Sequence, residues 1–264
     1  MHTSFLNPKI PSIQMTGLTV GAHDDPTAPV LVEVNWMVGT GEYWVLGGME
    51  ASGKTDLLAT AAGLTKPIQG QYRLFDQEGP AFGDQFMAER LRIGLVFDGG
   101  QLFHRLTVLE NIVLPLRYHG ERAGGDLAGK IAAVLELTEL SEKADFLAGT
   151  LGRAWQKRVG LARALVLQPE ILLLDNALGG LDSRHCQWWL DVLDQLSEGH
   201  PFMSGRPTTL VVTAEDLRPW KNRTVHLAIL QKGRLAVLGR HAQMAEISDP
   251  HVRELLAEQP YAAA

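Results

Sequence analysis

Cysteine is nearly absent: the 264-residue chain has one, Cys186. A single thiol excludes an internal disulfide and a multi-cysteine zinc site. Long apolar runs are missing too, since none approaches the ~18 residues that a membrane-crossing helix needs. The first residues, Met1-His2-Thr3-Ser4-Phe5-Leu6, lack the basic and apolar regions of a secretory leader. The histidines are scattered, with no metal-ligand spacing. Positive charge is in deficit, with 24 Lys and Arg against 30 Asp and Glu. The formal charge of −6 argues against nucleic acid as a main partner. Internal repeats and low-complexity segments are absent. Together these absences fit a cytoplasmic protein, including one attached to a membrane through a protein partner. What remains is ordinary for a globular chain, 45% hydrophobic and 20% charged, and long enough for one large or two small domains.

Against this plain background one run stands out: Gly48-Met49-Glu50-Ala51-Ser52-Gly53-Lys54-Thr55. It has the form G-x-x-x-x-G-K-[ST], the phosphate-binding P-loop. Gly48 and Gly53 let the backbone turn tightly and aim N–H groups inward. Lys54 brings a compact charge to the β- and γ-phosphates, and Thr55 offers a hydroxyl to Mg²⁺. The stretch 42–46 before it reads as a buried strand. The stretch 56–63 after it reads as a helix whose N-terminus faces the same anion. A chance match of the motif arises in roughly one chain in a hundred of this length at average residue usage. The flanking strand and helix make nucleotide binding the stronger reading, with Asp56 completing the loop set.

Strands are expected at 13–20, 30–38, 70–76, 92–97, 171–174, 208–213, 225–230 and 235–238. A loose lead-in covers 1–12, and Ala22-His23-Asp24-Asp25-Pro26 reads as a turn. The pattern is helical from about 107 to 164, again at 188–196, and from about Pro250. Strands alternating with helices imply a mainly parallel α/β core. Ile171-Leu172-Leu173-Leu174 is a short apolar run ending in Asp175, as a strand buried on both faces requires. Trp188 and Trp189 read as packing residues. Lys157, Arg158 and Arg163 read as a helix face that ties down its region, and Lys221-Asn222-Arg223 as an exposed turn.

Downstream of the P-loop lie Leu161-Ala162-Arg163-Ala164-Leu165, Gln168-Pro169-Glu170, the strand ending at Asp175, and Gly179-Gly180-Leu181-Asp182. These blocks, in this order and spacing, resemble the ATP-binding subunit of ABC transporters over nearly the whole chain. The resemblance implies a P-loop NTPase (RecA-like) core, an antiparallel β region that holds adenine, and a helical subdomain at about 99–164. All three would lie within one nucleotide-binding domain spanning 1–264. It implies ATP and Mg²⁺ as ligands, with Thr55 and Asp175 supporting the metal. It also implies a head-to-tail dimer, as homodimer or heterodimer with a second ATPase, docked on membrane permease subunits. The location implied is peripheral, on the cytoplasmic side of the inner membrane. A narrower resemblance lies in Leu102-Phe103-His104-Arg105-Leu106-Thr107-Val108-Leu109-Glu110-Asn111-Ile112-Val113-Leu114-Pro115-Leu116-Arg117 and in Asp249-Pro250-His251-Val252-Arg253-Glu254-Leu255-Leu256. Both look like ATPases of MCE-type phospholipid transporters, which implies lipid transport and an MCE-domain partner.

Several positions depart from the family pattern. Where a glutamate follows the Walker B aspartate as general base, this chain has Asn176. An amide can hold a water but cannot take its proton at neutral pH. The γ-phosphate-contacting histidine of the H-loop is replaced by Ala214. The Q-loop glutamine position is Asp98, a carboxylate that could touch Mg²⁺ but adds unfavourable charge beside a triphosphate. The signature LSGGQ aligns with Leu151-Gly152-Arg153-Ala154-Trp155, losing its serine and both central glycines. No aromatic stands near Ala22 to stack on adenine, which leaves His23 as the candidate. The expectation is therefore a subunit that holds ATP with weak or no hydrolysis at its own site. The alternative is a regulatory nucleotide-binding protein that uses the same dimer scaffold without transport turnover.

Overall fold

Ile171, Leu172, Leu173 and Leu174 are all completely buried, and they split between two cores. Ile171 and Leu173 face one side of the central sheet, Leu172 and Leu174 the other. Side chains alternate along a strand, so a run with no polar member must be covered on both faces. The same division holds for Val211 against Leu210 and Val212, and for Ala228 and Leu230 against Leu227 and Ile229. The computed structural model describes residues 11–75, 77–78, 86–123, 126–241, 244 and 247–257. Asp76, expected at the end of a strand, lies outside them, as do 1–10 of the expected lead-in.

The central sheet has six strands in the order β10-β9-β3-β8-β7-β6. These are β3 (Tyr43–Gly47), β6 (Ile93–Val96), β7 (Ile171–Leu174), β8 (Thr209–Ala214), β9 (Val225–Gln231) and β10 (Arg234–His241). All neighbours are parallel except the β9–β10 hairpin, which turns at Lys232 and Gly233. A second sheet, antiparallel and in the order β2-β1-β4-β5, comprises β1 (Pro11–Gly21), β2 (Pro29–Gly39), β4 (Gln69–Leu74) and β5 (Gln77–Glu78). Helix α1 (Lys54–Ala61) lies between the two sheets, burying Leu57, Leu58 and Ala61 with Ile13, Trp36 and Trp44. The helices α3 (Val108–Ala123), α4 (Leu127–Leu137), α5 (Arg153–Leu165) and α6 (Ser183–Glu198) cover the other face, with the short α7 (Pro250–Leu256). A single turn, α2 (Met87–Arg90), precedes β6.

The helix starts explain several sequence blocks. Thr107 and Glu110 form a reciprocal cap at α3: the Thr107 N–H donates to Glu110 (2.7 Å), and the Glu110 N–H donates to the Thr107 hydroxyl (3.1 Å). Fully buried Asn111 folds the preceding loop by bonding both the N–H and the carbonyl of Phe103. Asp249 caps α7, and Pro250 occupies the first helical position, where its missing N–H costs nothing.

Candidate nucleotide site

The strands β3, β7 and β8 all end at one edge of the sheet, and the segments leaving them build the site. After β3 comes the P-loop. Gly53 stands at φ 90° before α1, and a Cβ there would lie 2.8 Å from Val30. Only glycine meets both the conformation and the space. The Gly48 N–H donates to the Ala214 carbonyl (3.1 Å), which ties the start of the loop to the end of β8. A cleft of about 340 Å³ opens over the loop, lined by residues 50–56 with Asp98, Asp175, Asn176 and Glu215.

At its floor the Thr55 hydroxyl donates to Asp175 Oδ2 at 2.8 Å. Thr213 donates to the other oxygen, Oδ1, also at 2.8 Å, and accepts the Asn176 N–H. Asp175 is thus a buried carboxylate held by two hydroxyls. A hydroxyl and a carboxylate converging beneath a phosphate cradle suit Mg²⁺, which takes oxygen ligands from one or two protein groups and the rest from phosphate and water. No cluster of three or more acidic, His or Cys side chains able to hold a metal occurs among the described residues.

Lys54 is buried and points along its own loop, donating to the carbonyls of Gly48 (2.7 Å) and Met49 (2.6 Å). Burial lowers its pKa, while the charges of Glu215, Asp175 and Glu50 oppose the shift. Glu215 Oε1 lies 3.5 Å from its ammonium. Glu215 is a site residue that the sequence reading missed. Nothing local marks it, because only the parallel β3–β8 ladder brings it beside the P-loop.

Asn176, directly after Asp175, stands in the left-handed region (φ 47°), which asparagine tolerates better than most residues. Its side chain fills the space beside Gly179 and lies 3.4 Å from Asp98. Asp98, expected near the metal, has both oxygens on cations. Arg153 donates to both at 2.9 Å, and the fully buried Lys157 reaches one at 2.9 Å. Burial pushes the Asp98 carboxyl up, but the bonds and charges of Lys157 and Arg153 outweigh it and hold the pKa below its ordinary value. Lys157 also donates to the carbonyls of Asn176 (2.6 Å) and Gly179 (2.8 Å), so it fastens the segment after β7 from beneath.

Within the signature block, Gly152 caps α5, and Arg153 turns back onto Asp98 of its own chain. Trp155 lies within cation–π range of Lys143 and Arg158, with the ring of His185 edge-on to it. Arg158 also stacks on Trp188 and pairs with Glu139. Ala214 ends β8, is buried, has no polar side chain and is not part of the cleft lining. Exposed His23 is tied to α1 through its backbone N–H, which donates to Asp56 (2.8 Å), and it is not part of the cleft lining. Among the other expectations, Trp189 is fully buried. Arg223, expected in an exposed turn, is instead drawn in by Asp194 (2.9 Å) and the Pro219 carbonyl.

The family model described as ABC transporter matches residues 31–179. The chain belongs to the ABC transporter family. Its fold matches a solved ABC cassette, a dimeric post-hydrolysis ATP-binding cassette bound to ADP and Pi, with a TM-score of 0.74 and 26% identity. That match covers 87% of this chain and 98% of the cassette. Curated ABC relatives include the methionine import ATP-binding protein MetN 1 of Acinetobacter baylyi, 32% identical over 199 residues, covering 75% of this chain and 55% of that protein. They also include MetN of Lactobacillus acidophilus, 28% identical over 217 residues, covering 80% and 60%. This ABC chain spans only about half to two thirds of the length of these relatives. Among its described residues, no helix is long and apolar enough to cross a membrane.

Proposed function

We propose that this chain is the ATP-binding subunit of an ABC transporter that holds Mg·ATP and turns it over weakly or not at all at its own site. The observation that carries the reading is the division between the cleft over the P-loop and the strand end beside it. Thr55, Asp175 and Lys54 converge as phosphate and metal holders, while the neighbouring positions carry the amide of Asn176 and the methyl of Ala214. The loop N–H groups and Lys54 hold the phosphates, and Thr55 and Asp175 support Mg²⁺. The metal, when bound, supplies charge neutralisation at the phosphates. The turn carrying His23, tied by its N–H to Asp56 at the start of α1, would face the adenine. Asn176 can position a water, but no group there accepts its proton. A general base or a γ-phosphate contact is commonly worth a factor of about 10² to 10⁴, so losing both leaves little turnover.

The helical region at about 99–164 is the side that meets a permease. Exposed Phe103 (61%), Phe146 (52%) and Leu147 (47%) support this, since they lie on two segments that bond to each other. Exposed apolar groups gathered in one place favour a protein partner. For the solute, the relatives named above import methionine, which favours a small solute over lipid. The two blocks behind the lipid expectation are accounted for by helix capping and core packing, which any solute requires. A head-to-tail dimer fits the cassette likeness.

The test is paired. ATP binding and steady-state phosphate release are measured on the full chain and on Lys54→Ala. The expected result is wild-type ATP binding weakened at least about a hundredfold in the variant, with release near background in both. Robust release that depends on Lys54 would overturn the impaired-site reading.

A further inference from the structure

We propose that Glu215 sets the nucleotide preference of the cleft, penalising a triphosphate relative to a diphosphate. The inference rests on the nucleotide-binding reading above and names a residue that acts on the terminal phosphate. Glu215 follows directly on β8. That strand pairs with β3 with Ala214 opposite Gly47, and the Gly48 N–H bonds the Ala214 carbonyl. This register fixes the Glu215 backbone at the mouth of the P-loop, beyond the strand ends where Asp175 and Asn176 also stand. Its carboxylate lies 3.5 Å from the Lys54 ammonium, the group that must reach the β- and γ-phosphates.

The cleft lining holds five carboxylates, Glu50, Asp56, Asp98, Asp175 and Glu215, against one cation, Lys54. Asp98 is neutralised by Arg153 and Lys157, and Asp175 is bonded to two hydroxyls. Glu215 has no such cover, and Lys54 is its only cationic partner among the described residues. A bound nucleotide must therefore take Lys54 away from Glu215. The P-loop N–H groups cradle the inner phosphates, so the γ-phosphate is the one that lies toward the ends of β7 and β8. There it meets a carboxylate that has just lost its counter-ion. A diphosphate stops short of this repulsion.

Glu215 is partly exposed (44%), so solvent screens the effect without abolishing it. Removing its charge leaves the buried Lys54 bonded to the carbonyls of Gly48 and Met49. Equilibrium titration of the full chain with ATP and with ADP, each with Mg²⁺, is compared for wild type, Glu215→Gln and Glu215→Ala. Both variants are expected to lower the ratio of the ATP to the ADP dissociation constant by about tenfold, as a unit charge a few ångströms from a partly screened phosphate predicts. The wild-type ratio is expected to narrow as salt rises, and the variants' ratio to stay nearly flat. An unchanged ratio in folded variants overturns the inference and leaves nucleotide binding intact. If wild type binds neither nucleotide, the P-loop reading falls and the inference with it.

Discussion

Two neighbouring parts of the nucleotide region are both well bonded, but to different partners. The holding half, made by β3, the P-loop, α1 and Asp175, pairs its key polar groups across elements: Thr55 to Asp175, Asp175 to Thr213, Gly48 to Ala214. The turnover half, made by Asp98, the start of α5, Asn176 and Ala214, is equally well bonded, but to itself. Arg153 and Lys157 satisfy Asp98, and Lys157 satisfies the carbonyls after β7. If turnover is impaired as proposed, the contrast implies that such a change need not leave a loosened site. Here an internal charge cluster of Asp98, Arg153 and Lys157 ties the wall of the cleft to α5 and to the segment after β7.

Restoring the turnover half is the strongest way to break the contrast. The double substitution Asn176→Glu with Ala214→His is expected to raise phosphate release by about 10² or more, read by steady-state assay. Part of the gain will be offset, because glutamate fits φ 47° less well than asparagine. No gain, in a variant that still binds ATP, would show that the altered signature block also limits turnover.

The internal cluster comes next. Lys157→Met strips a buried cation from Asp98 and from two carbonyls, and is expected to cost about 3 kcal/mol in denaturant unfolding. Arg153→Ala removes the exposed partner of the same carboxylate and should cost under about 1 kcal/mol. If the two losses are equal, the burial argument for Lys157 is wrong. The smallest expected effect is that of mild acid. The folded-state pKa of Asp98 is lowered, so its contribution is fully present above the unfolded value, about 3.9. It should be lost only as pH falls below that range. A stability profile of wild type against Asp98→Asn should therefore differ by a constant amount from neutral pH down to the ordinary carboxylate range.

Much of this was legible in the chain because it is local. The four leucine-rich positions of β7 are bounded as the apolar run implies, and the P-loop sits between a strand and a helix as its spacing demands. Edges were less legible. β1 starts at Pro11, inside the stretch expected to be loose, because its pairing with β2 extends beyond its apolar core. What no local pattern carries is the partnership of residues far apart. Lys157 reads as a helix-face cation, yet it sits nearly fully buried against Asp98 and the segment after β7. Glu215 carries no local mark, because its position depends on the strand it follows lying beside β3. Arg223, in the loop before β9, is claimed by Asp194 on α6. These contacts are set by sheet order, which propensity and spacing do not encode.

The loop after β6 is bolted to α5. Arg163 donates to the carbonyls of Gly100 (2.7 Å) and Gln101 (3.0 Å), and a Cβ on Gly160 would come within 2.8 Å of Gly100. Lys157 and Arg153, on the same helix, hold Asp98 two residues earlier. Helix and loop therefore travel as one lever, with three of its fastenings on a single helix. If the helical region meets a permease as proposed, a displacement of α5 would arrive at the cleft as a movement of charge, with no need for the phosphate-holding loop to bend.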